Sequence, residues 1–555
     1  MTLVARMFPV LAGLAARTRV AAARLERVRP RYVVGGFVVV QWLATLAFAL
    51  TVRHNGWLFY HGGDQVWFYT TSWFLRHGLL IPTNVGFGWS TLLMPFALFG
   101  GPDLTLAIPG IVLLNVFFLM PVAMVAMYGI GHRLGGRLFG YWVLFLWVVL
   151  PYIGIKYTDA GFKSRYTELS LPDSLGLTSL SDFPHMVMLA VAAYFLLRAV
   201  QGRLRWDGAF AGLFAGAAIG MKPSSALFLG GAVLALVGCR CWRLIPAFTL
   251  GLAPSIAALT YWKWHGLGYL PIFHAEESAR LAIGSGTPFA ATVSLSKYLP
   301  FHWHQFSQNL GSLQEHFWSR RVFEWIVIAG TLALLRRSLP ALLLFGGWFW
   351  AFVLVKGSST LGLLETGGLL HMLIPAIPAF VVMIACLPLL LPGAQRHLRP
   401  VPPPRPWGPP GLRTSLLIAG VLLFAVVPVA LSAAATPTVN FAYTQSGPVP
   451  MVDDLHLTAT PLPRGYMRLR WTKPHPAGVP IFFEILRSSG SNCTGSPFIV
   501  ACATVLDTTR SDVYTDRVVV GYYNYHIALG ANWIDDPKAG DVYLISNPVI
   551  VKSLR

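Results

Sequence analysis

Apolar runs of roughly 18 to 22 residues, the length a helix needs to cross a hydrocarbon core, recur along most of the chain. They lie near 33–52, 104–130, 138–156, 183–200, 207–221, 223–239, 243–263, 322–336, 339–355, 369–391 and 414–434. The pattern predicts eleven spans, the fifth and eighth being short. Beyond Ala435 the period changes from helical to alternating, as in Leu455–Leu457–Ala459, Met467–Leu469–Trp471, Phe482–Glu484–Leu486 and Tyr523–Tyr525–Ile527. Turn-rich stretches, 474–480 and 488–495, separate these short strands, which is the pattern of a β-sandwich over 448–555. The expected fold class is therefore an α-helical polytopic membrane protein over 33–434, joined to a C-terminal all-β sandwich.

Composition agrees. The chain has 555 residues, 55% of them hydrophobic and 12% charged, against about 25% charged in a soluble domain. The net charge of +20 would suit a nucleic-acid partner if it were spread over a soluble surface, but its placement excludes that. With the N-terminus inside and the spans alternating, the inside segments hold twenty basic residues and two acids, Glu26 and Asp207. The outside loops hold twelve basic and eleven acidic residues, and 448–555 ten and nine. The excess follows the positive-inside rule. It predicts a cytoplasmic N-terminus, with 1–32 a basic amphipathic lead-in on the lipid surface, and a C-terminal domain outside. The Pro-rich basic stretch 392–413 reads as an extended cytoplasmic linker between two spans. The Arg-, Ala- and Gly-rich, Lys-poor composition points to a GC-rich bacterium and hence to its cytoplasmic membrane.

The C-terminal run resembles a fibronectin type III module. Leu469-Arg470-Trp471 matches its second strand and Phe483-Glu484-Ile485-Leu486-Arg487 its third, while Tyr514–Asp516 and Tyr523–Tyr525 match the approach to and start of its sixth. Cys493 and Cys502 fall in this outward domain, where a disulfide between them is compatible with an oxidising compartment. Cys239, Cys241 and Cys386 lie in or beside spans and read as packing residues. Trp533 is a candidate sugar-stacking residue.

The informative stretch for chemistry is the first outside loop, 53–103. It runs through Gly62-Gly63-Asp64-Gln65 into an aromatic helix-like segment, Trp67-Phe68-Tyr69 to Arg76, suited to the membrane interface. Asp64 could serve as no more than the helix cap. Its setting, however, resembles the GT-C class of polytopic glycosyltransferases, which take a sugar from a polyprenyl-phosphate carrier outside the cytoplasmic membrane. The resemblance implies that Asp64 is the general base on the acceptor hydroxyl. Many relatives carry two acids there; this chain has Gly63 and Gln65 on either side, so a divalent metal is possible but not indicated.

Lys222, in Gly220-Met221-Lys222-Pro223, lies between two apolar runs, where a lysine is costly unless it faces water or an anion. The resemblance makes it a donor-phosphate contact; simple snorkelling is the alternative. His371, before Pro375 and Pro378, occupies the place of an arginine in the same class, and a neutral imidazole donates one hydrogen bond only. Asp182, with Pro184 in the following turn, reads as a cap of the fourth span. His185 is a further cavity candidate. Asp159, and the pair Arg320 and Arg321 before the eighth span, complete the substrate-binding set, the arginines suiting a lipid phosphate or an ordinary headgroup. His302-x-His304 has no partner motif, and no phosphate-loop, dinucleotide or His-Glu-x-x-His signature occurs.

The resulting expectation is an inverting membrane glycosyltransferase, with a polyprenyl-phosphate-linked sugar as donor and an extracytoplasmic glycan or lipid as acceptor. Membrane lipids are its surroundings and nucleic acid is no partner. The competing readings are a transporter or flippase of lipid-linked saccharides, disfavoured by the lack of an internal repeat, and an envelope assembly protein resembling O-antigen ligases.

Overall fold

The computed structural model describes residues 23–52, 54, 59–81, 85–268, 270, 301–316, 322–359, 368–398, 401–438, 441–444, 447–474, 481–489, 503–532 and 540–553. Each of the eleven apolar runs is helical. Among the described residues eight helices are long and apolar enough to cross a membrane: α1 (Pro30–Thr51), α4 (Leu104–Gly135), α5 (Arg137–Tyr157), α6 (Asp182–Gly202), α9 (Trp242–Leu267), α12 (Leu339–Gly357), α13 (Leu369–Leu390) and α14 (Pro410–Ala434). The other three runs are shorter: α7 (Arg205–Met221), α8 (Pro223–Gly238) and α11 (Val322–Arg337). Two helices fill the first loop, α2 (Asp64–Arg76) and α3 (Phe87–Gly100), and α10 (Trp303–His316) precedes α11. The chain is thus a multi-pass membrane protein.

Helix α6 is the centre of the bundle. In its most apolar stretch 83% of residues are buried, against 22% in α14, so α6 is packed all round while α14 keeps a lipid-facing side. It packs on α7, and α7 on α9. Glycines make the second contact close: a Cβ on Gly212 would lie 1.9 Å from the Phe248 carbonyl oxygen, and one on Gly251 2.0 Å from that of Ala209. Small residues at such crossings let backbones meet where there is no hydrophobic drive between helices.

The first-loop helix α3 is not peripheral. A Cβ on Gly86, at its N-cap, would meet the Gly220 carbonyl oxygen at 2.2 Å, so α3 abuts the end of α7 just before Lys222. Helix α2 is also enclosed: Val66, Phe68, Tyr69, Phe74 and Leu75 are buried, with Thr70, Thr71 and Ser72. The aromatic stripe expected at the membrane interface is largely core instead.

Within Pro-rich 392–413, residues 401–407 form neither helix nor strand but are not free. Arg133 donates to the Pro402 carbonyl (3.0 Å), Arg198 to that of Arg405 (2.9 Å), and the Trp407 indole to Asp207 (3.2 Å). It is a strap across the helix ends.

The C-terminal region begins by pairing with the first loop. Strand β1 (Leu79–Leu80) lies parallel to β2 (Thr436–Pro437), and a hairpin of β3 (Ala442–Thr444) and β4 (Gly447–Val449) follows. Two layers come next, antiparallel except where β5 runs parallel to β12. One has the order β10 (Val513–Arg517), β7 (Tyr466–Arg470), β6 (Thr458–Leu462). The other has the order β5 (Met451–Val452), β12 (Gly540–Ser546), β11 (Gly521–Asn532), β8 (Ile481–Ser489), β9 (Thr504–Thr509), with β13 (Val549–Ser553) continuing along β11 beyond β12. Trp471 packs edge-on to Phe483 (5.5 Å), and both are buried with Leu469, Ile485 and Tyr525. Tyr514–Asp516 stands within β10 rather than in the approach to a later strand. Residues 1–22 of the lead-in, the cysteine pair Cys493 and Cys502, and Trp533 lie outside the described residues.

Candidate active site

Helix α2 starts abruptly because two consecutive glycines, Gly62 and Gly63, take positive φ (65° and 50°), which side chains rarely adopt. Gln65, fully buried, folds back: it accepts from the His61 backbone N–H at 3.1 Å and donates to the Phe59 carbonyl at 3.3 Å. Gly63, not Asp64, is the N-cap. Asp64 is the first helical residue and its carboxylate is 52% exposed. Capping therefore does not account for it.

Facing Asp64 at 3.9 Å is the Lys222 ammonium. Lys222 stands where the chain is extended between α7 and α8 (φ −140°, ψ 110°), as Pro223 favours in the residue before it. Its Nζ donates to both carboxylate oxygens of Asp182 (2.8 and 2.7 Å) and lies 3.3 Å from His371 Nε2. His371, on α13, has its Nε2 3.2 Å from Asp182 and its Nδ1 2.7 Å from Asp173. Thr178 donates to the other oxygen of Asp173 (3.0 Å). The result is an alternating chain of groups, Asp64–Lys222–Asp182–His371–Asp173, with the first half-exposed and Asp182 and Asp173 buried.

The loop carrying Asp173 is fixed from two sides. Asn115, in a π turn of α4, donates to the carbonyls of Gly176 (3.2 Å) and Thr178 (3.1 Å), and the Trp89 indole of α3 donates to Ser179 (2.8 Å). Such π turns recur at functional sites.

The electrostatics follow from this geometry. Burial opposes the Lys222 charge, and the Asp182 and Asp64 carboxylates overcome it, holding the ammonium above the ordinary lysine range. Burial and the Asp182 carboxylate push Asp173 up. Burial, with His371 nearby, pushes His61 down to about 3, so its imidazole is neutral, and among the described residues neither of its nitrogens has a hydrogen-bond partner. Asp173, Asp182 and His371 place one ligand atom each within 4.8 Å of one another, as a metal would require. The Lys222 ammonium lies against both Asp182 oxygens and His371 in the same cluster.

Of the residues singled out from the sequence, Asp64, Lys222 and His371 are brought together. Asp182 joins them as the buried acid that holds Lys222, not as a helix cap. Lys222 does not snorkel. His185, one turn along α6, is fully buried, its Nδ1 2.6 Å from the Ser181 carbonyl, so it does not face the open side. Asp159 is engaged elsewhere: it caps a short helix by accepting from Gly161 (2.9 Å) and lies 4.0 Å from His316. Arg320 and Arg321 lie outside the described residues. His302 and His304 are exposed at the start of α10. Asp173 was legible only as a loop acid, because its partner His371 is 198 residues away.

No family model matches the chain, and no curated protein does. Among solved structures it is similar to the oligosaccharyltransferase of Archaeoglobus fulgidus. To the apo form the TM-score is 0.37 at 13% identity, over 73% of this chain and 56% of that one. To the complex with zinc and sulfate it is 0.35 at 14%, over 72% and 53%. The chain thus spans little more than half the length of that enzyme, and likeness at this level assigns neither fold nor function.

Proposed function

We propose that the protein is an inverting membrane glycosyltransferase that moves a sugar from a polyprenyl-phosphate donor to an extracytoplasmic glycan or lipid, with Asp64 as general base. One observation carries this reading. A half-exposed carboxylate, placed by a glycine turn at a helix start, stands 3.9 Å from a lysine that is anchored in a buried acid–histidine network.

In the reaction the acceptor hydroxyl loses its proton to Asp64 as its oxygen bonds to the anomeric carbon. The bond from that carbon to the phosphate oxygen breaks in the same displacement, and polyprenyl phosphate leaves with the electron pair. A base must reach the proton while opposite charge meets the leaving group; Asp64 and Lys222 are adjacent groups of those two kinds. Lys222 is one-fifth exposed, enough to meet a phosphate while Asp182 fixes its position. His371 and Asp173 hold Asp182 and Lys222 in register. With the charge distribution, this reading takes all eleven apolar helices as spans, the N-terminus as cytoplasmic and the site as outward. The two-layer order of β6, β7 and β10 against β9, β8, β11 and the β12–β13 edge supports a fibronectin type III-like module.

The test is transfer in membranes from radiolabelled polyprenyl-phosphoryl mannose, glucose and arabinose, with wild type and with Asp64→Asn. Loss of transfer at unchanged protein level is expected for D64N. Full transfer by D64N would remove Asp64 from the chemistry.

A further inference from the structure

Asp64 is more than half exposed, so packing of its own side chain does not set where its carboxylate points; the backbone of Gly62 and Gly63 does. The C-terminal domain grips that backbone. The Gly63 N–H donates to the Asp541 carboxylate at 2.9 Å, and Asp541, at the start of β12, is only 7% exposed. Next to this contact the Tyr60 hydroxyl lies 3.5 Å from the Asp541 carbonyl oxygen, and the rings of Tyr60 and Tyr543 meet edge-on (6.4 Å, 65°). The far end of the same loop is held too, by the Thr436 and Thr438 N–H groups donating to Gly78 (2.8 Å) and Leu80 (2.9 Å). A carboxylate at the first turn also suits the positive end of the helix.

We propose that Asp541 is a positioning residue for the glycosyl transfer: the appended β-domain holds the Gly63 amide and thereby sets the start of α2 and the direction of Asp64. This rests on Asp64 being the base. The domain is then part of the active site's frame, and separating it from the membrane helices would loosen the base rather than remove an accessory binding module.

The experiment compares full-length D541A and D541N with wild type and D64N in proteoliposomes, using the polyprenyl-phosphoryl sugar that wild type transfers. Amounts are normalised to monodisperse protein. An amide oxygen still accepts from Gly63, so D541N is expected to keep kcat within about threefold. D541A is expected to lose roughly 10- to 100-fold in kcat with the donor KM within about twofold, since a small misplacement of a reacting group costs on that scale. Amide hydrogen exchange over 59–66 should rise in D541A and not in D541N. If D541A is not recovered folded, D541T replaces it, as threonine suits a strand and its hydroxyl is too short to reach Gly63. An unchanged kcat in D541A, or an equal loss in D541N and D541A, overturns the positioning role while D64N still reports the base. Full activity of D64N overturns both.

Discussion

The helix pair α6 and α7 carries a cluster of charge at each end, and the two clusters do different things with similar groups. Helix α6 is 21 residues long, so the ends are about 30 Å apart. At one end Arg198 meets Asp207 (3.1 Å), and its other two nitrogens donate to the Tyr194 hydroxyl (3.3 Å) and the Arg405 carbonyl (2.9 Å). The second oxygen of Asp207 takes the Trp407 indole, whose ring lies 5.3 Å from Phe210. Every arm of that pair has a protein partner, and the strap 401–407 is tied down. At the other end Asp64 is half-exposed, Lys222 is shared between two acids, and among the described residues the neutral His61 has no hydrogen-bond partner on either nitrogen. A saturated cluster builds; an unsaturated one at an opening has capacity left for a substrate.

The largest effect that would break this contrast comes from Asp64. D64N should lower kcat by about 10²- to 10⁴-fold, the usual worth of a positioned base, with little change in thermal unfolding. Transfer assays beside a melting curve in detergent would separate the two. A melt shifted as far as the rate falls would make Asp64 architectural, like Asp207.

Asp182 should behave as both kinds at once. D182A leaves the Lys222 ammonium in its buried setting with one exposed acid nearby, and losing one partner of a buried pair typically costs about 3–5 kcal/mol. The double variant D182A/K222M should be more stable than D182A, because no charge is then stranded, yet still fail to transfer sugar. Denaturant titration of the four proteins gives the coupling directly. If K222M does nothing to the stability of D182A, the pair is not the anchor described here.

How much of this was legible in the sequence differs between the layers of the problem. The apolar periodicity located each helix that the eleven runs predict, because bilayer-length hydrophobicity is a local property. The packing of α3 on α7 has no such local signal, because it depends on Gly86 meeting Gly220, two distant glycines with no pattern in common. Asp64 and Lys222 stood out by their neighbours, a glycine pair and a proline. The role of Asp182 did not, since an acid opening a helix looks the same whether it caps that helix or faces a lysine 40 residues on. The grip of Asp541 on Gly63 spans 478 residues and has no sequence signal at all. Burial hid the nature of α2 in the same way: an aromatic stripe reads alike whether lipid headgroups or a β-domain cover it.

The strap gives the smaller effects, and these sharpen the comparison from its saturated side. D207A removes the acceptor of Arg198 and Trp407 together and should cost about 1–3 kcal/mol, the penalty for leaving buried donors unsatisfied. Proteolysis within 392–413 should speed up, while transfer per folded molecule stays at the wild-type rate. Loss of transfer without loss of stability would show that the two ends communicate. Arg405 should then be nearly silent. Its side chain is exposed and the strap uses only its carbonyl oxygen, which alanine retains, so R405A should stay within about 0.5 kcal/mol of wild type. Because Arg405 is one of the twenty arginines that the proposed topology places inside, the same variant asks whether the positive excess acts through specific contacts or only through its sum. A melt and a transfer rate both unchanged in R405A place its charge in the topological excess and its backbone in the strap.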